Sequence, residues 1–478
     1  MDYGLFSLLP SLIAIAFALY TREVLLSLIA AIIVGDMILI DGDILEMTLA
    51  PLHSIDRVLT LFSQAWIVKM LLFALLVGSV ITLISRSGGV VGFVEYLESR
   101  QNSISSKRGA LLLAYGIGLV IFIESSITAL IAGTVARPLC DKHQVSREKL
   151  AYVCDSTSAP VCSLIPFNGW GALLLGLITT QISLGVISGN AVSLLGSAIM
   201  YNFYAWVSLA FVLYIIASGK DFGAMKKAEA RAQAGELIAS DAKILGDESL
   251  LVYQASDDKK ASMWHLILPI LFMIIMVPIV LYITGEGDIM QGSGSSAIFY
   301  AVLFTVVVSS FYYKGTGAMT LNEIMDAIYK GAGMMLPIAA ILIFAFAIGD
   351  VTSELKTGHY LATIVRENVA AFYLPALVFF LGGVIAFSTG TSWGTFSIMI
   401  PIAIPMASTL GVDPALAIAA VISGGVFGDH CSPISDTTIV SSMAAMSDHI
   451  DHVNTQLPSA LVCGGLALLL FLGAGIWA

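Results

Sequence analysis

The chain has 478 residues, of which 58% are hydrophobic and only 12% are charged, and its mean hydropathy is +0.92. A soluble domain of this length carries about a quarter charged residues, so a soluble globular enzyme is excluded. The net charge of −11 argues against a nucleic-acid partner. The five cysteines are scattered through apolar segments, which is typical of reduced thiols and not of a disulfide framework.

Apolar runs predict membrane spans from the first residues onward. "WIVKMLLFALLVGSVITLI" (66–84) and "WHLILPILFMIIMVPIVLYIT" (264–284) are typical examples, since a helix of about 20 residues crosses the hydrocarbon core. A β-barrel would instead show alternating segments of about ten residues. We therefore predict an all-α polytopic membrane protein, with further spans near 4–20, 24–40, 295–313 and 331–350.

The charged segment 219–260 divides the chain into two membrane halves. We predict an N-terminal half (1–218), a linker (219–262) and a C-terminal half (263–478). The Lys and Arg residues of the linker place it in the cytoplasm under the positive-inside rule, in a multi-pass protein of the cell membrane.

Charge in the flanking loops predicts a re-entrant hairpin in each half. Both 86–109 and 137–149 are basic, so a single crossing between them would put one on the wrong side. A hairpin at 109–137 that turns at "ESS" (124–126) removes the conflict. The second half repeats the scheme, with a hairpin at 374–405 and a broken helix at 414–446 that corresponds to one at 150–166.

Sequence similarity between the halves indicates an inverted repeat. "VIFIESSIT" (120–128) aligned with "VIAFSTGTS" (384–392) pairs Glu124 with Ser388, and "CDSTSAP" (154–160) parallels "GDHCSPIS" (428–435). By the charge pattern the first hairpin enters from inside and the second from outside. Inverted repeats are common in secondary transporters, whose interrupted helices form the site near the bilayer midplane.

Asp429 and Asp436, in "GDHCSPISDTT" (428–438), are the strongest candidates for a site. An aspartate at membrane depth costs roughly 2.5–3.5 kcal/mol, and it usually persists there because it binds something. Pro433 lacks a backbone donor and frees carbonyls, which gives an all-oxygen environment suited to Na⁺. With Asp155 from the first half, these carboxylates form the predicted Na⁺ site. The alternative is a solvent loop between two spans.

Other chemistries at this motif are less favoured. Adjacent His430 and Cys431 cannot readily converge on one zinc ion, and no CxxC or HExxH pattern is present. Cys431 also lacks an identifiable base for a nucleophile. The polar segment "SDHIDHVNTQLP" (447–458) is predicted to be an aqueous loop, and Met334 and Met335 are predicted to be core residues.

The remaining candidates are a lone carboxylate and hydroxyl side chains. Glu124 could carry a proton, pair with Arg137 or face water at the hairpin tip. "STGTSWGT" (388–395) offers hydroxyl and carbonyl oxygens, or the small-residue packing common between membrane helices. The full predicted set is Glu124, Ser125, Asp155, Ser156, Thr157, Ser388, Thr389, Thr391, Ser392, Asp429, Ser432, Asp436 and Thr437.

"GDHCSPISDTT" and "FSTGTSWGT" together resemble the NhaC family of sodium/proton antiporters, from about residue 65 to the C-terminus. The match at the first motif covers Asp429, Ser432, Pro433, Ser435 and Asp436 to Thr438, whereas His430 and Cys431 replace the family's usual pair. The resemblance implies an elevator-type transporter with helical hairpins, often a homodimer. It also implies sodium coupling, with relatives that carry organic acids and amino acids.

Two functions follow from these observations. The first is Na⁺/H⁺ antiport by alternating access, with Asp155, Asp429 and Asp436 shared between cation and proton. The second is Na⁺-coupled or exchange transport of an amino acid or small organic anion. An enzyme is not expected, and neither is any cofactor beyond the transported Na⁺ and H⁺.

Overall fold

The computed structural model describes residues 3–21, 23–40, 44–98, 106–122, 124–166, 168–240, 242–244, 261–287, 292–357, 360 and 370–477. In these residues the regular structure is helical apart from one isolated bridge between Ile244 and Asp448. This confirms the all-α prediction.

Short 3₁₀-helices lie at Gly4–Leu8 and Ala371–Tyr373. The α-helices before the linker are α1 (Leu9–Thr21), α2 (Val24–Leu39), α3 (Ile44–Met47), α4 (Ala50–Leu61), α5 (Ala65–Arg86), α6 (Gly89–Glu98), α7 (Lys107–Val120), α8 (Ser125–Lys142), α9 (Arg147–Leu164), α10 (Gly169–Ser183), α11 (Ala191–Met200) and α12 (Phe203–Ser218). From the linker onward they are α13 (Gly223–Gln233), α14 (Trp264–Thr284), α15 (Gly294–Gly315), α16 (Leu321–Met334), α17 (Leu336–Glu354), α18 (Leu374–Thr389), α19 (Ser392–Leu410), α20 (Pro414–Cys431), α21 (Asp436–Ala445) and α22 (His449–Trp477).

Several of these helices can cross a bilayer. Within the described ranges eight helical segments are long and apolar enough, or ten if each of two bent pairs counts as one span. The bent pairs, α9 with α10 and α16 with α17, each turn by 40°. The chain is therefore a multi-pass membrane protein, as the hydropathy predicts.

Within the described residues, four interruptions divide the helices that carry the predicted site residues. They lie between Val120, where α7 ends, and Ser125, where α8 begins; between Leu164 of α9 and Gly169 of α10; at 390–391 between α18 and α19; and at 432–435 between α20 and α21. Non-helical backbone at membrane depth is tolerated where it is buried in protein or lines a water-filled cavity. The helices on either side of each interruption pack against one another.

One interruption lies later in the chain than the sequence predicts. "CDSTSAP" is helical, because α9 continues through Pro160 and ends at Leu164, so the break follows Leu164. Hydroxyl groups on α9 bond to the carbonyls of the helix itself, for example Ser158 to Asp155 O and Ser163 to Pro160 O. Burial of α9 by its neighbours maintains the helix through the proline.

The linker is partly folded onto the membrane helices. Its helix α13 contacts α9 and α22, and the Glu229 carboxylate accepts bonds of 2.8 Å from both the backbone N and the Oγ of Ser146, the N-cap of α9. Lys149 is 1% exposed and pairs with Asp221 at 2.8 Å. The predicted linker residues 241 and 245–260 lie outside the described residues.

The helices α5 and α16 cross with their backbones in contact. A Cβ atom added to Gly78 would lie 2.1 Å from Gly331 O, and one added to Gly331 would lie 2.2 Å from Gly78 O. Small residues permit this close approach in membranes, where van der Waals packing replaces the hydrophobic driving force. We call α5, α16 and α17 the frame.

Candidate functional site

The motif "GDHCSPISDTT" forms the interruption between α20 and α21. The helix α20 ends at Cys431, the chain is extended at Ser432 and Ser435, and α21 begins at Asp436. Ser432 Oγ donates to Phe387 O at 2.8 Å, which ties the interruption to α18. Ser432, Ser435 and Thr437 are buried, whereas Pro433, Ile434 and Asp436 are exposed, so the interruption is not a loop that is solvated throughout.

The neighbouring interruption at 390–391 packs against the same motif. Gly390 adopts a left-handed φ of 66°, and a Cβ atom there would lie only 2.6 Å from Ile434 O. Thr391 caps α19, as Glu124 caps α8. Because each residue caps the second helix of its pair, Glu124 in the first half corresponds to Thr391 in the second half. The sequence alignment instead pairs Glu124 with Ser388.

Asp429 lies in the last turn of α20 and is 1% exposed. Its Oδ2 is 2.9 Å from the hydroxyl of Ser392, which is also 3.2 Å from Gly425 O. Oδ1 has no hydrogen bond of ordinary geometry to the described residues. Because exposed carbonyls give a helix C-terminus partial negative charge, a carboxylate at this place attracts a cation.

Asp155 is fully buried and connects to the same motif through a glutamine. Its Oδ2 accepts bonds from Thr438 Oγ1 at 3.1 Å and from Gln456 Nε2 at 2.6 Å. Gln456 Nε2 is also 2.8 Å from His430 O. Like Asp429, Asp155 has one oxygen, Oδ1, without a partner among the described residues.

Glu124 and Asp436 differ from these two aspartates because they face a cavity of about 480 Å³. Glu124 accepts backbone bonds from Ser126 and Ile127, of 3.0 and 2.7 Å, at the start of α8. Asp436 is exposed to the cavity and accepts a bond from its neighbour Thr437 N at 2.9 Å. Because both carboxylates line the same cavity, they repel each other when both are ionised.

The cavity lies between the frame and the interrupted helices. Most of its lining is apolar, and the interrupted helices contribute its polar groups. Trp170 and Trp393 both line it, with ring centroids 6.0 Å apart. Met334 and Met335 line it as well. Met335 packs against the core as the sequence predicts, whereas Met334 is 58% exposed and is not a core residue.

The other predicted hydroxyl residues differ in their surroundings. Thr389 and Thr157 donate to carbonyls of their own helices, Ser125 lies 3.4 Å from Glu124, and Thr437 contacts Ser435. Ser156 is buried in α9, and Ser388 is half-buried near the end of α18. Of the predicted hydroxyl side chains, only that of Ser392 bonds to a predicted site aspartate.

The segment "SDHIDHVNTQLP" is not the aqueous loop that its polarity predicts. The helix α22 begins at His449, and His449, His452 and Gln456 lie buried on one of its faces. Ser442 Oγ contacts both histidines, and His452 Nε2 is 3.0 Å from Gln456 Oε1. In the sequence, the spacing of these polar residues at i, i+3 and i+7 is typical of one face of a helix and could have predicted this face.

In the described part of the chain, no three His, Cys, Asp or Glu side chains are grouped to hold a metal ion. The three predicted sodium carboxylates therefore do not converge on one ion in this conformation. Hydroxyl and carbonyl oxygens would have to complete the shell of any cation held by a single aspartate.

Interrupted membrane helices around buried carboxylates define a secondary transporter, not an enzyme. The family model for the Na⁺/H⁺ antiporter family matches residues 161–476. The chain belongs to this family, which confirms the resemblance seen in its motifs.

Individual relatives extend the comparison. The chain is 34% identical over 476 residues to an uncharacterized protein of Haemophilus influenzae, with 96% of this chain and 88% of the relative covered. It is 26% identical to the arginine/ornithine antiporter ArcD of Halobacterium salinarum, over 46% of this chain and 44% of that protein. Its fold resembles that of Neisseria gonorrhoeae MtrF, described as one of a class of antimetabolite efflux pumps. The TM-score is 0.53, the identity is 14%, and 91% of this chain and 85% of MtrF are covered.

Proposed function

We propose that this protein exchanges Na⁺ for H⁺ across the cell membrane by alternating access. The observation that carries the proposal is the pair of buried aspartates, Asp155 and Asp429, each with one carboxylate oxygen that lacks a described partner. Buried polar groups are normally satisfied, and a carboxylate at membrane depth typically marks an ion or proton pathway.

Asp429 would be the principal cation ligand. Its Oδ1, the Ser392 hydroxyl and Gly425 O provide oxygen atoms of the kind a hard cation prefers. The Ser435 side chain also interacts with this carboxylate. A proton on Asp429 would remove the negative charge that holds Na⁺, so ion and proton would be bound alternately.

The order of the interruptions supports an internal repeat, and we propose that the two repeats are inverted and that transport uses an elevator-type movement. In each half a helix pair with a short break (α7 and α8, α18 and α19) precedes a second interrupted pair (α9 and α10, α20 and α21). The interrupted helices would move together past the frame and carry the cation with them. We also propose that the linker lies in the cytoplasm and that the protein assembles as a homodimer.

Vesicles that contain the purified protein test the proposal. Addition of Na⁺ should dissipate an imposed pH gradient, and Asp429→Asn should abolish this response. The matched control is Asp413→Asn at the other end of α20, because asparagine caps helices about as well as aspartate. A normal response in Asp429→Asn would refute the role of Asp429.

A second candidate function is Na⁺-coupled transport of an organic solute. The cavity favours it, because about 480 Å³ falls within the range of small-molecule sites and is far larger than one ion requires. The arginine/ornithine specificity of ArcD shows that a similar protein carries amino acids.

A further inference from the structure

We infer that the cavity beside the aspartates binds an organic ammonium compound, with the ammonium group between Glu124 and Asp436 and an apolar body toward the frame. The inference rests on the second candidate function and narrows its substrate class. Three features of the cavity support an organic cation: its acidic side chains, its capped helix starts and its apolar wall.

The charges of the cavity favour a cation. Among the described residues that line it, the ionisable side chains are Glu124 and Asp436, and none is Lys, Arg or His. Two carboxylates that repel each other without a cationic neighbour are stabilised by a positive ligand. An ammonium group has three donors and can bond to both carboxylates.

The helix ends at the cavity disfavour an organic anion. Helix N-termini often bind carboxylates through their free backbone N–H groups. Here the starts of α8, α10, α19 and α21 are already capped by Glu124, Asn168, Thr391 and Ser435. An anionic ligand would have to displace these side chains and also approach two carboxylates.

The apolar part of the cavity wall favours a ligand with a hydrocarbon body. Ile81 and Leu342 of the frame face the cavity opposite Val440 of α21. A small ion would leave this surface in contact with water, whereas an apolar body would bury it. The indole rings of Trp170 and Trp393 add faces that can hold a cation or stack on a ring.

Two probes of the same skeleton test the inference. Phenethylammonium and 3-phenylpropionate differ in the charge of the terminal group and have similar size. We expect phenethylammonium to bind saturably to the purified full-length protein in calorimetric titrations, and 3-phenylpropionate not to bind. Quenching of tryptophan fluorescence by phenethylammonium alone would report the same preference without any substitution.

Glu124→Gln tests the anchoring group. Loss of a charged hydrogen-bond partner corresponds to about tenfold weaker binding or more, and Asp436→Asn should act in the same direction. Glu95→Gln, at an exposed glutamate of α6, is the control and should leave the affinity unchanged. Equal binding of both probes, or wild-type affinity in both cavity variants, would overturn the inference.

Transport measurements separate this inference from the proposed functions. If Na⁺ still dissipates a pH gradient but phenethylammonium does not bind, only the inference fails. If phenethylammonium binds as expected but a Na⁺ gradient does not drive its uptake, the binding site stands and the coupled-carrier function is refuted.

Discussion

Three acidic side chains of the candidate site occupy two kinds of position. Glu124 and Asp436 lie at helix starts, where the backbone N–H groups stabilise a negative charge. Asp429 lies in the last turn of α20, where the backbone opposes it. The first pair therefore accepts backbone N–H bonds, whereas the charge of Asp429 has to be balanced by a bound cation or removed by a proton.

Gln456→Leu should weaken Na⁺ binding, because Asp155 would lose the donor 2.6 Å away while remaining buried. A buried hydrogen bond to a charged group contributes about 1.5–3 kcal/mol. We therefore expect the half-saturating Na⁺ concentration, measured in the vesicle assay, to rise by about tenfold or more.

Gln181→Leu is the matched control. Gln181 is also buried, but its amide atoms have no partner in the described structure. Its replacement should leave Na⁺ dependence unchanged and stability equal or higher. Normal Na⁺ dependence in Gln456→Leu would show that the glutamine does not position Asp155.

At the scale of the elements, the interruptions depend on close backbone contacts. Gly390 ends α18 in the left-handed region and lies against the Ile434 carbonyl of the second interruption. Gly411 ends α19 with a similar φ of 73°, but a Cβ atom there would meet nothing within 4 Å. Substitutions at these two glycines therefore distinguish the cost of a left-handed backbone, which both share, from the cost of disturbing the contact between the two interruptions, which only Gly390 makes.

Gly411→Ala should lower stability by about 1–2 kcal/mol, the penalty for a left-handed residue with a side chain. Gly390→Ala should lower it further and should also reduce Na⁺ transport, because the new methyl group would push Ile434 and Asp436 apart from α18. Thermal unfolding in detergent and vesicle transport measure the two effects. Equal losses in both variants would contradict a special role for the Gly390 contact.

The linker helix is held by a buried ion pair. Asp221→Asn would leave the buried Lys149 with Glu229, 3.7 Å away, as its remaining acidic partner among the described residues. Breaking a buried pair costs about 3 kcal/mol or more, so the unfolding temperature should fall. Asp326→Asn, at an exposed partner of Arg86, should leave it nearly unchanged. Similar unfolding temperatures for both variants would mean that the linker contributes little to stability.

Some of these elements could be predicted from the sequence, and others depend on tertiary contacts. Pro433 and the serines around it predict the interruption at 432–435. Pro160 suggests an equivalent break, but burial of α9 maintains the helix through it. The face of α22 that carries Gln456 was missed because a polar segment next to a proline resembles a loop.

At the scale of the whole molecule, the cavity joins residues that are far apart in the sequence. Glu124 and Asp436 come from different halves of the chain and meet against the frame. The sequence predicts both carboxylates, but not the apolar wall that surrounds them, because that wall exists only after the halves pack. The substrate class therefore depends on the tertiary structure.

Competition between Na⁺ and H⁺ for one carboxylate predicts a specific pH dependence. For one shared proton, the half-saturating Na⁺ concentration should rise about tenfold for each unit that pH falls in the acidic range. The maximal rate at saturating Na⁺ should change less. Vesicle assays over a series of pH values measure both quantities. A half-saturating concentration that is independent of pH would exclude a shared site.

The contact between Gly78 and Gly331 has a practical consequence for experiments on the proposed elevator-type movement. Because the backbones of α5 and α16 touch directly, a relative displacement of these helices would have to separate them. The distance between a spin label on α5 and another on α16 should therefore stay constant during turnover. The two labels would provide a fixed reference. Distances from them to a third label on α19 or α21 would measure how far these helices move during transport.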